Sequence, residues 1–298
     1  MKNLHYSPQD RIVLAVNAVL LTIFMVVVLY PFIYVVSCSF SSGDALVRGE
    51  VWLLPKNLSL EGYRLVFAYT PIWTGYRNSI IYTAAVTVFN ILMTVMAAYP
   101  LSRRDLDGGK IIIAFFTIPM LFSGGLIPSY MLVSGLGLLN TPWAIILPGS
   151  MSVFNVIVMR TYFRNSIPAE LLEAAKIDGC SDIQFVVRIV TPLSGAIIAV
   201  VALWVAVGSW NSYFSALIYL NDRKLYPLQI ILRELLLVTA NIDFTSTSID
   251  PRQLERSQYL SHLLRYGTII IGSLPLMIMY PFVQKYFVKG VMIGSIKG

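Results

Sequence analysis

The sequence predicts an all-α, polytopic membrane protein with six transmembrane helices. Three observations carry that expectation. Charged residues make up 12% of the 298 positions and hydrophobic residues 57%, whereas a soluble domain carries about 25% charged residues. The mean hydropathy is +0.72. Apolar runs recur along the chain at the length of roughly 20 residues that a hydrocarbon core about 30 Å thick requires. The whole chain, 1–298, reads as one transmembrane domain.

The elements follow in order. The first span covers about 12–39. Its end, Val35-Val36-Ser37-Cys38, loosely resembles a lipoprotein cleavage box, but the apolar run is far longer than a signal-peptide core, so it reads as a retained helix. An external segment, 41–76, contains Pro55, Asn57 and a helix start at Ser59-Leu60-Glu61. The second span is 78–102, closed by a short basic loop with Arg103, Arg104 and Lys110. The third, 111–133, is interrupted by Pro119, Gly124, Gly125 and Pro128. Two readings stay open there: a discontinuous helix lining a cavity, or a kinked helix running into a surface loop. The fourth span is 143–162, followed by a polar loop at 163–191 and a fifth span at 192–220. A second external segment, 221–264, leads to the sixth span, 266–287, and the tail.

Orientation follows from basic residues in short loops near span ends. Lys2 and Arg11, the Arg103/Arg104/Lys110 loop, and Lys285, Lys289 and Lys297 all fall on one side. That side is read as cytoplasmic, with both termini and the 163–191 loop. The net charge of +7 is explained by these loop positions and lipid headgroups, not by nucleic acid, for which a basic stripe with interleaved aromatics is missing. Cys38 and Cys180 fall on opposite sides and do not pair. Neither they nor His5 and His262 have metal-ligand spacing, so no metal site is expected.

What the sequence lacks narrows the mechanism. No Asp, Glu, Lys or Arg lies in the middle of a span, which disfavours a proton-coupled carrier; a sodium site built from backbone carbonyls stays open. There is no G-x-x-x-x-G-K-[ST] phosphate loop and no nucleophile–base pair, so the chain is read as no enzyme. If transport is active, its energy arrives from another protein.

The polar island Glu173-Ala174-Ala175-Lys176-Ile177-Asp178-Gly179 is the place for that energy to enter. Pro168 suits a first helical turn, and Glu170 and Glu173 lie early in the helix, where its dipole favours them. Gly179 is placed to end the helix in a left-handed conformation. Ser181 and Gln184 fit a capping box opening a second helix, which Phe185, Val186, Ile189 and Val190 carry to Pro192. The result is two short helices at an angle. By residue chemistry alone, a knob that couples motion and an amphipathic loop lying on lipid both remain.

The spacing Glu173-Ala174-Ala175-x-x-Asp178-Gly179, then Ile189-x-x-Pro192-Leu193, resembles the signature loop of ATP-binding-cassette importer permeases. Trp210-Asn211-Ser212-Tyr213-Phe214 with Leu217-Ile218-Tyr219-Leu220 is similar to carbohydrate permeases of the maltose-transporter type. Tyr226-Pro227-Leu228-Gln229, Tyr280-Pro281-Phe282-Val283-Gln284-Lys285-Tyr286-Phe287 and the Gly290…Gly294…Lys297-Gly298 tail resemble a poly- and oligosaccharide branch, often labelled lipoprotein-type permeases. The resemblance spans about 11–298. It departs after Pro192-Leu193, where the family often has a second proline and this chain reads Ser194-Gly195-Ala196.

The resemblance implies a bacterial plasma-membrane permease that imports an oligo- or polysaccharide. Its partners would be a homologous second permease subunit, two ATPase subunits and a solute-binding protein that docks on the external segments. No cofactor would sit on this chain; ATP and Mg would sit on the ATPase subunits. Glu173, Ala174, Ala175, Asp178 and Gly179 would dock to the ATPase, with Asp178 either touching the partner or capping its own turn. Gly294, Lys297 and Gly298 would reach the ATPase dimer as a tail. Trp210, Asn211, Tyr213 and Phe214 are candidates for the substrate pathway, with core packing and a helix-to-helix bond from Asn211 as the competing roles; Asn78, Asn90 and Asn155 are expected to be structural. Other classes remain: an importer permease for a peptide or haem, an ion-coupled carrier, or a membrane enzyme or assembly factor.

Overall fold

A computed structural model describes residues 7–122, 124–244 and 251–295, and all their regular elements are helical. In chain order these are α1 (Pro8–Ser39), α2 (Gly43–Val47), α3 (Glu61–Ala68), α4 (Pro71–Ser102), α5 (Gly109–Leu121), α6 (Leu126–Gly135), α7 (Trp143–Gly149) and α8 (Val153–Ser166). They continue as α9 (Ala169–Ile177), α10 (Asp182–Leu193), α11 (Gly195–Asn211), α12 (Phe214–Tyr219), α13 (Leu228–Phe244) and α14 (Pro251–Ser295).

Among the described residues, three helical stretches are long and apolar enough to cross a bilayer: α1, α4 and Gln258–Pro281 within α14. Three bent pairs, α5–α6 at 111°, α7–α8 at 41° and α10–α11 at 82°, bring the candidates to the expected six. The bend in the third span falls at Gly124-Gly125, where Gly125 has φ +84°; Pro119 lies inside α5, and Pro128 in the first turn of α6. The expected interruption is present, with α5 ending at Leu121 and α6 starting at Leu126. The fifth span, expected from about Pro192, corresponds to α11 and begins three residues later, at Gly195. Pro192 lies near the end of α10, and the chain turns at Ser194, whose N–H reaches back to Val190 O at 3.0 Å and Thr191 O at 3.2 Å. The apolar helix α11 starts at Gly195.

The chain groups into two compact units. The first comprises 1–69 and 232–273. Here α1 is apolar on all sides and its most hydrophobic stretch is unburied, as expected for a helix whose solvent is lipid. The segment after it folds back on its end: Ser37 Oγ donates to Leu53 O at 2.6 Å, and Lys56 N–H donates to Ser41 Oγ at 3.0 Å. These bonds satisfy a loop backbone and close a small core of Cys38, Ala45, Leu46, Val51 and Leu263. The Cβ that a larger residue would place at Gly62 would stand 2.9 Å from Leu263 O, so α3 and α14 approach backbone to backbone. The two segments expected as external polar loops are therefore largely helical, holding α2, α3, the start of α4, α13 and the start of α14.

The second unit, 70–231 and 274–298, is organised around α4, which packs against α7, α8 and α11. Its main core joins Val95, Ala98, Tyr99 and Leu101 to Val156, Met159, Phe163, Ala175, Phe185, Val190 and Val201. Three asparagines hold the helices in register. Asn78 Nδ2 donates to Lys224 O (2.8 Å) and Tyr226 O (3.0 Å). Asn90 Nδ2 donates to Gly149 O at 3.0 Å, the carbonyl at the α7–α8 break, while its Oδ1 accepts from Thr94 Oγ1 and Asn155 Nδ2, both at 3.2 Å. Their expected structural role is what the bonds describe, since freed backbone groups at membrane depth need partners within the protein.

Candidate functional site

The polar island folds as two capped helices joined by one tight turn. Pro168 stands one position before α9, as its N-cap and not inside its first turn. At the other end Gly179 has φ +74°, a conformation open to glycine at no steric cost. Cys180 N–H bonds to Ala175 O at 2.9 Å and Gly179 N–H to Lys176 O at 3.1 Å, the paired bonds of a Schellman stop. α10 then opens with a complete capping box: Gln184 N–H donates to Ser181 Oγ (3.3 Å), and Ser181 N–H donates to Gln184 Oε1 (3.1 Å). Ser181 and Gln184 thus satisfy two otherwise orphaned N–H groups reciprocally.

This element is tied to the membrane helices from beneath. Ala175 and Phe185 enter the core, and the Phe185 ring lies 6.1 Å from that of Tyr99 on α4. Arg103, immediately after α4, makes the second tie. Its Nη1 lies 2.8 Å from Asp182 Oδ1, and its Nε and Nη2 hold both oxygens of Asp105 at 2.9 and 2.5 Å. The bonds to Arg103 lower the Asp105 carboxyl to about 2, and those to Asp105 hold the guanidinium further above its ordinary value.

Glu173, Ala174, Asp178 and Gly179 are exposed on the outer side, beside a cleft of about 570 Å³ that Glu173 shares with Arg104, Arg164 and Lys176. The Glu173 carboxylate makes no hydrogen bond or ion pair among the described residues. Asp178 holds the C-cap position through its backbone N–H, and its carboxylate makes no local capping bond. Ala175 departs from expectation: at 6% exposure it faces this chain's own core and presents no surface to dock. The sequence reading missed Ile177 and Ile183, which are 87% and 77% exposed on either side of the Gly179 turn. An isoleucine in each of two short polar helices, off the buried face, was the available signal. In the tail, Gly294 lies within α14, while Lys297 and Gly298 lie outside the described residues.

The second place of interest is a cavity of about 450 Å³ between α4, the α7–α8 break, and α11 with the break that follows it. Its walls include Asn90, Ser152, Trp204, Ser209, Ser212 and Ser215. None of Trp210, Asn211, Tyr213 and Phe214 lines it. Trp210 is buried with its ring 6.0 Å from Tyr76. Asn211 Nδ2 donates to Val207 O (3.0 Å) in its own helix. Tyr213 and Phe214 meet edge to face at 6.5 Å. Gly208 and Ser209 line the cavity from the last turn of α11, Ser212 from the break and Ser215 from α12.

Comparison with known proteins places this geometry. The family model described as "Binding-protein-dependent transport system inner membrane component" matches residues 2–293. Protein LplC of Bacillus subtilis (strain 168) is 38% identical over 295 residues, covering 99% of this chain and 98% of that protein. The polygalacturonan/rhamnogalacturonan transport system permease protein YtcP of the same organism is 37% identical, covering 93% of this chain and 96% of that one. A crystal structure of a bacterial ABC transporter involved in the import of the acidic polysaccharide alginate contains a chain that aligns with a TM-score of 0.84 at 35% identity, over 95% of this chain and 99% of that one.

Proposed function

We infer that this chain, which belongs to the family of binding-protein-dependent transport system inner membrane components, is the permease subunit of an ATP-driven importer of an oligo- or polysaccharide. The observation that carries the reading is the two-helix element at 169–193. It is capped at both ends of its turn, exposed on its outer side and fastened to α4 by the Phe185 packing and the Arg103–Asp182 pair. An element of this kind transmits a push from a soluble partner into the membrane helices, which is what a chain lacking its own phosphate loop needs.

In this reading Glu173, Ala174, Asp178 and Gly179 meet an ATPase subunit, with Ile177 and Ile183 as apolar anchors at the centre of the contact. Ala175 acts from inside, keeping α9 seated. ATP and Mg belong to two such ATPase subunits. A second, homologous permease chain completes the pathway, and a solute-binding protein delivers the saccharide to the opposite face. Both termini lie in the cytoplasm, and the tail from Gly294 through Lys297 and Gly298 runs toward the ATPase pair. Closure of the ATPase dimer moves the element, and the helices alternate between inward and outward access. The saccharide substrate is supported by the names of the relatives, which include transporters of polygalacturonan/rhamnogalacturonan and of arabinooligosaccharides.

The test uses Glu173→Lys and Gly179→Trp. Each variant is expected to reach the membrane at wild-type level while ATP-dependent uptake and transport-linked ATPase activity fall to background. Normal uptake by either variant removes the docking role.

A further inference from the structure

We propose that the loop 52–60, which follows the first span, is a membrane-interface anchor. Trp52, Leu53, Leu54, Leu58 and Leu60 enter the boundary between headgroups and acyl chains in the leaflet at which α1 ends, and so set the depth and tilt of α1. The proposal goes beyond the permease reading and holds for any solute the chain carries.

The segment 41–76 reads from its sequence as a polar external loop, yet this part of it is apolar and uncovered. Trp52 is 70% exposed, Leu54 75% and Leu58 78%, and Leu53 and Leu60 are each more than half exposed. Large apolar side chains gathered in the open mark an interaction surface.

The loop is stitched to the end of α1. Ser37 Oγ donates to Leu53 O (2.6 Å), Lys56 N–H donates to Ser41 Oγ (3.0 Å), Ser42 N–H donates to Lys56 O (3.2 Å) and Ser59 N–H donates to Phe40 O (2.9 Å). The first of these bonds fixes the height of the loop. Ser37 lies inside α1, two residues before its end, so the chain has folded back beside the helix instead of standing above it.

That height is the level of the headgroups. Ile12 opens the apolar run of α1, and at 1.5 Å per residue Ser37 stands about 37 Å further along the helix. An average tilt of about 20° brings this to about 35 Å, of which the hydrocarbon core takes roughly 30 Å. Irregular backbone is not tolerated against the hydrocarbon itself. At the interface it is, and here the bonds to the end of α1 satisfy four of the loop's backbone groups.

Lipid is the occupant that these side chains and this position fit. Trp is enriched where apolar surface meets headgroups. Lys56, exposed between Leu54 and Leu58, can lay its stem on the apolar side and its ammonium among phosphates. Through the Ser37–Leu53 bond the patch adjoins the uncovered apolar surface of α1, where Phe32, Ile33 and Val36 are exposed. α1 also needs an anchor. Its most hydrophobic stretch is unburied among the described residues, so packing within this chain does not set its position, and interfacial anchors are the other determinant of tilt. A soluble protein docking from water would meet a surface that stands clear of the headgroups, which a loop folded back beside α1 does not offer.

The test places a nitroxide on Leu54→Cys, Leu58→Cys, Glu50→Cys or Ile33→Cys, one at a time, in a Cys180→Ser chain; Cys38 is fully buried and stays. The full complex is reconstituted in nanodiscs of phosphatidylethanolamine and phosphatidylglycerol. Collision of the label with oxygen, which concentrates in lipid, is compared with collision with a water-soluble nickel chelate. The oxygen-to-nickel ratio at 54 and 58 is expected to be several-fold above that at 50, to approach that at 33, and to stay unchanged when binding protein is added. With the label at 33, Trp52→Asp/Leu58→Asp should lower the ratio by drawing the loop and the end of α1 toward water, whereas Trp52→Tyr should leave it in place. A ratio at 54 and 58 equal to that at 50 would overturn the anchor. So would labels there shielded from both reagents, which would mark a protein partner, and so would a ratio at 33 that the double Asp variant does not move.

Discussion

At the scale of single residues, the functional surface is set by what each side chain has left to bond. Glu173 and Asp178 keep free carboxylates in the open, while Ala175, their neighbour in sequence, is turned inward. The stretch 173–178 thus has an exposed side, proposed above to dock, and a buried side that seats α9. Asn90 stands at the opposite extreme, with donor and acceptor both used at a helix break. Asn90→Leu would leave Gly149 O and the Asn155 amide without their partner, at a cost of about 1–3 kcal/mol for each buried group. Thermal unfolding in detergent should show a marked drop for this variant. Asn211→Leu, whose bond lies in its own exposed last turn, should shift the transition far less. Glycine at 179 works through conformation and not through space, because a Cβ there would meet nothing within 4 Å. Gly179→Ala should therefore cost only the left-handed penalty of about 1 kcal/mol and leave partial uptake, in contrast to the steric block expected from Gly179→Trp.

At the scale of elements, the coupling loop was legible and the bent spans were less so. Gly179, Ser181 and Gln184 carry local chemistry that fixes a stop and a start within a few residues, and local chemistry is what a sequence displays. Pro192 lies three residues before the Gly195 start of α11, so it marked the neighbourhood of the turn and not its exact position. The turn was set instead by the Ser194 N–H reaching back to two carbonyls, a bond that composition does not announce. Of the residues at 210–214, Trp210 is buried against Tyr76 and none of the aromatic residues lines the cavity; large aromatic residues mark packing as readily as binding. The serines that do line it carry little signal until the structure places them. Arg103 was read only as an orientation signal, and its bond to Asp182 gives it a second role. Surface ion pairs contribute about 0–1 kcal/mol, so this one matters through position: it joins the end of α4 to the start of α10. Arg103→Ala and Asp182→Ala should each lower uptake per ATP hydrolysed by several-fold, and the double variant should be no worse than either alone. Additive losses would show that the two residues act separately. The bond between Arg103 and Asp105 is insensitive to physiological pH. The Asp105 carboxyl is depressed from 3.8 to about 2, so its contribution is fully present above pH 3.8 and is lost as pH falls toward 2. Coupling ratios measured between pH 6 and 8 should therefore show no step attributable to this group.

At the scale of the whole molecule, the described residues combine up to six candidate spans with an exposed two-helix element. The family match over 2–293 and the fold shared with a chain of an alginate importer give that combination its setting. The missing phosphate loop, which the sequence shows directly, is what makes the exposed two-helix element necessary to the account. A self-contained carrier would need neither the caps nor the ties that hold this element to α4. The most direct measurement is uptake of radiolabelled saccharide into proteoliposomes containing this chain, its partner permease, the ATPase subunits and the binding protein. Uptake is expected to require ATP on the side that bears the ATPase subunits, to be unaffected by ionophores, and to stop when the ATPase subunits are omitted. Uptake by this chain without ATPase subunits, abolished by an ionophore, would contradict the permease reading.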